Sequence, residues 1–203
     1  GLFDFGDGLA ARLLKSHSLF GTQLDSLADM VSFGIAPSVV VFKVILTLQP
    51  SAEQAAFLLN HQPFVNAVIF LPFILSVATA LRLAKFNIDS RQHDCFIGLP
   101  SPAMALFFAS LVYLLKNESL NWITGILNNP ISWYVLAILF SVLMVSELKM
   151  FFIKFYSFRW YGNSIQYLLV GISAILLVLL QDVGIPIIII LYIVLGLVVN
   201  FKK

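Results

Sequence analysis

Four aspartates stand near the start of the chain in two pairs, Asp4 with Asp7 three residues apart and Asp25 with Asp29 four apart. On a helix either spacing puts both carboxylates on one face, a turn from each other. Like charges so placed repel, and the repulsion grows where water is scarce. Only Arg12 and Lys15 lie between the pairs, too few cations to neutralise four carboxylates. Divalent metal is the economical counter-charge. Hard oxygen donors suit Mg2+, Mn2+ or Ca2+, and the scattered histidines and single cysteine offer no cluster for zinc. Two carboxylate pairs can hold two such ions, and metal-bound carboxylates beside a basic residue suit a phosphate whose oxygens the metals bridge. Gly8, Ala11 and Gly21 are small enough for a ligand to approach the backbone, and Arg12 can fork onto phosphate oxygens. Taken singly, such small residues serve helix packing equally well. Their joint spacing with the aspartates favours a site.

The elements that must hold these residues are set by an apolar solvent. The chain is 60% hydrophobic and only 11% charged, whereas soluble domains carry about a quarter charged residues. Its mean hydropathy is +0.97. Apolar runs near the ~20 residues needed to cross a bilayer recur at 22–49, 64–84, 99–115, 132–148, 164–181 and 183–200, with residues 1–14 reading as part of another. No ten-residue alternation of the β-barrel kind is present. The expected fold is all-α, a polytopic transmembrane helix bundle in one domain over 1–203, with about six full spans and a partial one before them. Arg12, Lys15, Arg82, Lys85, Arg91, Lys149, Lys154, Arg159, Lys202 and Lys203, ten of the twelve basic residues, fall in alternate connections. Short cytoplasmic loops retain such residues, so the aspartate-rich segment and the C-terminus are expected on the cytoplasmic side of the cell membrane.

Other signals are bland. Cys95 reads as an ordinary free thiol, and His17, His61 and His93 as loop histidines without ligand spacing. The aromatic and basic stretch "FFIKFYSFRWYGN" at 151–163 suits the membrane interface. Pro100 and Pro102 read as a structural break where the chain re-enters the membrane.

Written as a pattern, the opening is D-x2-D-G-x2-A-R-x8-G-x3-D-x3-D, occupied by Asp4, Asp7, Gly8, Ala11, Arg12, Gly21, Asp25 and Asp29. This resembles, without a mismatched position, the signature of the CDP-alcohol phosphatidyltransferases. The resemblance implies a bilayer-embedded enzyme that moves a phosphatidyl group from CDP-diacylglycerol to an alcohol and releases CMP. It implies two divalent ions, Mg2+ or Mn2+, held chiefly by Asp4, Asp7 and Asp25, with Asp29 as a further ligand and the general base. Gly8, Ala11, Arg12 and Gly21 would then contact the nucleotide and its phosphates. Ser18 falls where that family often carries a hydroxyl. "LDSLADMVSFGIAPS" (24–38), "RLAKFN" (82–87) and "FIGLPSPA" (96–103) further resemble the phosphatidylserine synthases of the bacterial integral-membrane type. That narrower likeness implies L-serine as the alcohol, a frequent homodimer, and an opening helix that precedes residue 1. No nucleic-acid partner is expected.

Serine brings a carboxylate that needs a cation. Arg82 and Lys85 share the expected side with the aspartates, and the Asn87 amide could fix geometry. The positive-inside rule alone would also account for the cations. Glycerol 3-phosphate or an inositol phosphate would favour a denser basic patch. A divalent-cation transporter would carry polar residues along a continuous path, whereas "GISAILLVLL" and "IPIIIILYIVLG" are almost free of ionisable groups.

Overall fold

Apolar runs with proline or asparagine at their starts fold as helices in the computed structural model, which describes residues 19–48, 68–89, 96–117, 121–150 and 164–201. Helix α1 (Leu19–Met30) passes through a π-helical turn (Val31–Ile35) into α2 (Ala36–Leu48). A 3-10 turn at Leu71–Phe73, with Pro72 in its first positions, opens α3 (Ile74–Ile88). Strand β1 (Phe96–Ile97) precedes α4 (Ser101–Asn117) and the short α5 (Asn121–Leu127). Pro130 begins α6 (Pro130–Val145), where the Asn129 side chain accepts from the Ile131 backbone N–H at 3.0 Å. Such a cap satisfies one of the donors a helix start leaves orphaned. Strand β2 (Lys149–Met150), α7 (Ser164–Leu180) and α8 (Gly184–Phe201) follow.

Among the described residues three stretches are long and apolar enough to cross a bilayer: Gln23–Leu48, Leu71–Ile88 and Tyr167–Val198. The last is not straight. Gln181 has a left-handed φ of 44°, and a Cβ built on Gly184 would lie 2.9 Å from the Leu176 carbonyl oxygen. Positions eight apart on one straight helix are about 12 Å apart, so α7 and α8 fold back as two arms. Glycine at 184 permits that close approach. Ser101–Asn117 and Pro130–Val145 are shorter apolar helices. Helix α3 runs to Ile88, so Arg82 and Lys85 lie within it rather than in the connection that follows.

The core lies where α2, α3, α4, α6 and α8 meet. Phe107 stacks on Phe140 with centroids 4.3 Å apart, and Phe108 meets Phe140 edge-on at 5.4 Å. Trp133 is fully buried, and its indole N–H donates to the Leu127 carbonyl at 2.7 Å. Hydroxyls inside the apolar helices turn back on their own backbone, as Thr79 does to Leu75 and Ser141 to Ala137. This local bonding keeps a polar group satisfied where no water competes.

At one end of the bundle the connections are tied together. Strands β1 and β2 pair antiparallel, Phe96 opposite Met150 and Ile97 opposite Lys149. The Gly98 N–H donates to the Leu148 carbonyl at 2.8 Å, and that of Leu99 to Leu143 at 3.1 Å. Gly98 has φ 78°, and a Cβ there would run into the Met144 carbonyl, so only glycine fits this turn. This two-residue pairing is a minor tie in a fold that is all-α, as expected. Its effect is to fix the start of α4, and with it Ser101, against the end of α6.

Candidate active site

Asp25 and Asp29 stand one turn apart on α1, Asp25 exposed and Asp29 half-buried. Side chains at that spacing are about 5–6 Å apart at Cβ, a gap one cation can bridge. Gly21 is exposed one turn earlier. Helix α3 lies alongside, joined to α1 where Asn87 Nδ2 donates to Ser26 Oγ at 3.1 Å.

Arg82 points into the bundle and is 7% exposed. Its Nη1 donates to Ser101 Oγ, at the start of α4, at 3.2 Å. Tyr192 of α8 and Asp29 of α1 both act on it electrostatically. A guanidinium this far from water needs such company, because a lone buried charge is costly. Four helices thus meet at one arginine. Lys85 sits nearer the rim, in an ion pair with Glu147 at 3.2 Å, the two side chains 38% and 71% exposed.

The structure therefore sets Arg82 within electrostatic reach of Asp29, ties Asn87 to Ser26 between the two aspartates, and pairs Lys85 with Glu147. Asp4, Asp7, Gly8, Ala11, Arg12 and Ser18 lie outside the described residues, as do Cys95, His17, His61, His93 and the stretch 151–163. Among the described residues no three or more of His, Cys, Asp and Glu converge as a metal cluster. Asp25 and Asp29 are hard oxygen donors and fit Mg2+ or Mn2+, with the remaining donors expected from Asp4 and Asp7.

Sequence reasoning passed over Ser101 and Tyr192. A signal was present for Tyr192, the one polar side chain between Ile185 and Val199. A hydroxyl in so aliphatic a helix calls for a partner. Ser101 gave no such signal, being one more polar residue in a proline-rich turn.

The sequence profile described as CDP-alcohol phosphatidyltransferase matches residues 1–134, well over half of the chain. The chain belongs to the CDP-alcohol phosphatidyltransferase family. Among curated proteins it is similar to the CDP-diacylglycerol–serine O-phosphatidyltransferase of Bacillus subtilis (strain 168), 37% identical over 153 residues that cover 73% of this chain and 69% of that protein. The protein of the same name in Methanocaldococcus jannaschii is 34% identical over 148 residues, covering 73% and 58%. That of Helicobacter pylori (strain 26695) is 32% identical over 150 residues, covering 73% and 55%. The matched region thus spans little more than half the length of the last two. Arg82, Ser101, Asp25 and Asp29 all fall inside the family match, whereas Tyr192 lies beyond it.

Proposed function

We propose that this chain transfers the phosphatidyl group of CDP-diacylglycerol to the hydroxyl of L-serine, giving phosphatidylserine and CMP. The observation that carries the reading is the family match over residues 1–134, which contains the whole aspartate signature and the buried Arg82. Divalent metal, when bound, neutralises charge on the diphosphate. In this reading Asp4, Asp7, Asp25 and Asp29 hold it, and Gly8, Ala11, Arg12, Ser18 and Gly21 cradle the cytidine nucleotide and its phosphates.

Asp29 accepts the proton of the serine hydroxyl as that oxygen attacks the phosphorus of the phosphatidyl group. The bond from this phosphorus to the CMP oxygen breaks, and CMP leaves with the electron pair. Arg82 orients the acceptor by donating to the serine carboxylate, with a fork that matches two carboxylate oxygens. Ser101 and Tyr192 keep the guanidinium in place. Lys85 and Asn87 would first have to leave Glu147 and Ser26, so they serve at the rim. The Lys and Arg asymmetry supports a cytoplasmic opening for this end of the bundle, with α4, α6, α7 and α8 as further spans. A homodimer is part of the same reading.

The test is purified protein with labelled serine, CDP-diacylglycerol and Mn2+. CMP release that depends on serine is the expected result. Release with glycerol 3-phosphate or an inositol phosphate but not with serine would overturn the alcohol assignment. No release with any alcohol, together with Mn2+ uptake into proteoliposomes, would overturn the enzyme reading.

A further inference from the structure

The helix that carries Asp25 and Asp29 is not a regular α-helix throughout. Five residues, Val31–Ile35, form a π turn in which the Ala36 N–H bonds to the Val31 carbonyl. Gly34 within the turn and Pro37, Ser38, Val41, Val44 and Ile45 beyond it make the buried stripe of the rod. Asp29 stands twelve positions before Val41, and Asp25 sixteen.

An unbroken α-helix turns by about 100° per residue. Counted back from Val41, Asp29 would then lie about 120° away from the stripe and Asp25 about 160°, both turned from α3. A π turn absorbs one extra residue, so twelve positions rotate as eleven and sixteen as fifteen. The angles fall to about 20° and about 60°. Both carboxylates thereby come to the side of the rod that packs on α3, the side on which Ser26 accepts from Asn87.

The turn is clamped from two helices. The Gly34 carbonyl accepts the Ser38 hydroxyl at 2.8 Å and the Ser76 hydroxyl at 3.2 Å, and the two hydroxyls are 2.7 Å apart. Ser38, Ser76 and Gly34 are all buried. A Cβ on Gly34 would sit 3.0 Å from Thr79 Cβ and 3.1 Å from its Cγ2, so a side chain there pushes α3 away. Wide turns of this kind are rare and occur often at functional sites.

We propose that the π turn at Val31–Ile35, clamped by Ser38 and Ser76 on the Gly34 carbonyl, is the positioning device of the site. It rotates Asp25 and Asp29 onto the α3 side, which makes Gly34, Ser38 and Ser76 positioning residues for the phosphate-transfer centre. The inference rests on the reading of that centre given above, and its test separates the two.

The register is read chemically, without activity. In a Cys95→Ser background, Ser26→Cys with Asn87→Cys places two thiols where a hydrogen bond now joins α1 to α3. A short bifunctional thiol reagent should join them in the full-length chain. Deleting Ser32, an exposed residue of the π turn, should abolish that cross-link, because everything before it rotates by about 100°. Reinserting one alanine after Met30 should restore it.

Without the cysteines, the same deletion should cut Mn2+-dependent binding of CDP-diacylglycerol and CMP release about a hundredfold, as displaced reacting groups do. Should the deletion not fold, Ser38→Ala with Ser76→Ala provides the second reading. Its cross-link yield and kcat should both fall, while KM for serine stays within about threefold, since the fork of Arg82 remains. A cross-link that survives in the deletion, or is unchanged in the double variant, would overturn the proposal. Loss of the cross-link with no CMP release even from the parent chain would instead overturn the enzymatic reading and leave the rotation standing.

Discussion

Replacing Arg82 by alanine tests substrate choice most directly. The side chain is 7% exposed and its Nη1 donates to Ser101, so a ligand meets this guanidinium only from inside the bundle. A hydrogen bond to a charged partner contributes about 1.5–3 kcal/mol, which at about 1.4 kcal/mol per decade is about 10- to 150-fold in affinity. Arg82→Ala should therefore raise the KM for serine by that range, measured with CDP-diacylglycerol saturating. The KM for CDP-diacylglycerol, measured with serine saturating, should move by less than about threefold, because the nucleotide half is held by other residues. Arg82→Lys should recover only part of the loss, since a point charge replaces a planar fork. Thermal unfolding in detergent accompanies the kinetics, because the truncation also leaves a gap among four helices. A fall in kcat with both KM values unchanged would show that Arg82 serves Asp29 and not serine. Equal rises in both KM values would remove the serine-anchoring role altogether.

Other perturbations separate the remaining roles. Asp29→Asn should lower kcat about 10²- to 10⁴-fold, the usual worth of a general base, with CDP-diacylglycerol still bound in a direct binding assay. Asp25→Ala should instead lose Mn2+ and CDP-diacylglycerol binding together, which calorimetry on the detergent-solubilised protein would read. Gly98→Ala should lower the thermal midpoint, since a left-handed φ and the Met144 carbonyl both oppose a Cβ, at a strain of about 1–3 kcal/mol or more. An unshifted midpoint would mean that the turn relaxes. Lys85→Gln breaks an exposed ion pair worth less than about 1 kcal/mol, so stability should hardly change. Its KM for serine should rise less than that of Arg82→Ala.

The sequence by itself determined the solvent, the class of fold and the class of chemistry. Hydropathy is a local sum, so 60% hydrophobic composition and span-length runs imply membrane helices without reference to packing. Carboxylate spacing is equally local, and it supplied the family signature from Asp4 to Asp29. The apolar runs at 99–115, 132–148 and 183–200 match α4, α6 and α8 within a few residues, whereas the run at 64–84 is displaced from α3, which spans Ile74–Ile88. What required tertiary structure was every choice between equivalents. Arg82 and Lys85 are both cations near one end of α3, yet only Arg82 turns inward to Ser101, Asp29 and Tyr192, while Lys85 pairs with Glu147 near the surface. Tyr192 comes from a helix more than a hundred residues away, and no spacing rule reaches that far. The rotation of the aspartates was hidden for a related reason. Periodicity arguments assume 3.6 residues per turn, and the break from it at Val31–Ile35 is stabilised by Ser76 on another helix. A helix reveals its own faces in sequence; where those faces point is decided by what packs against it.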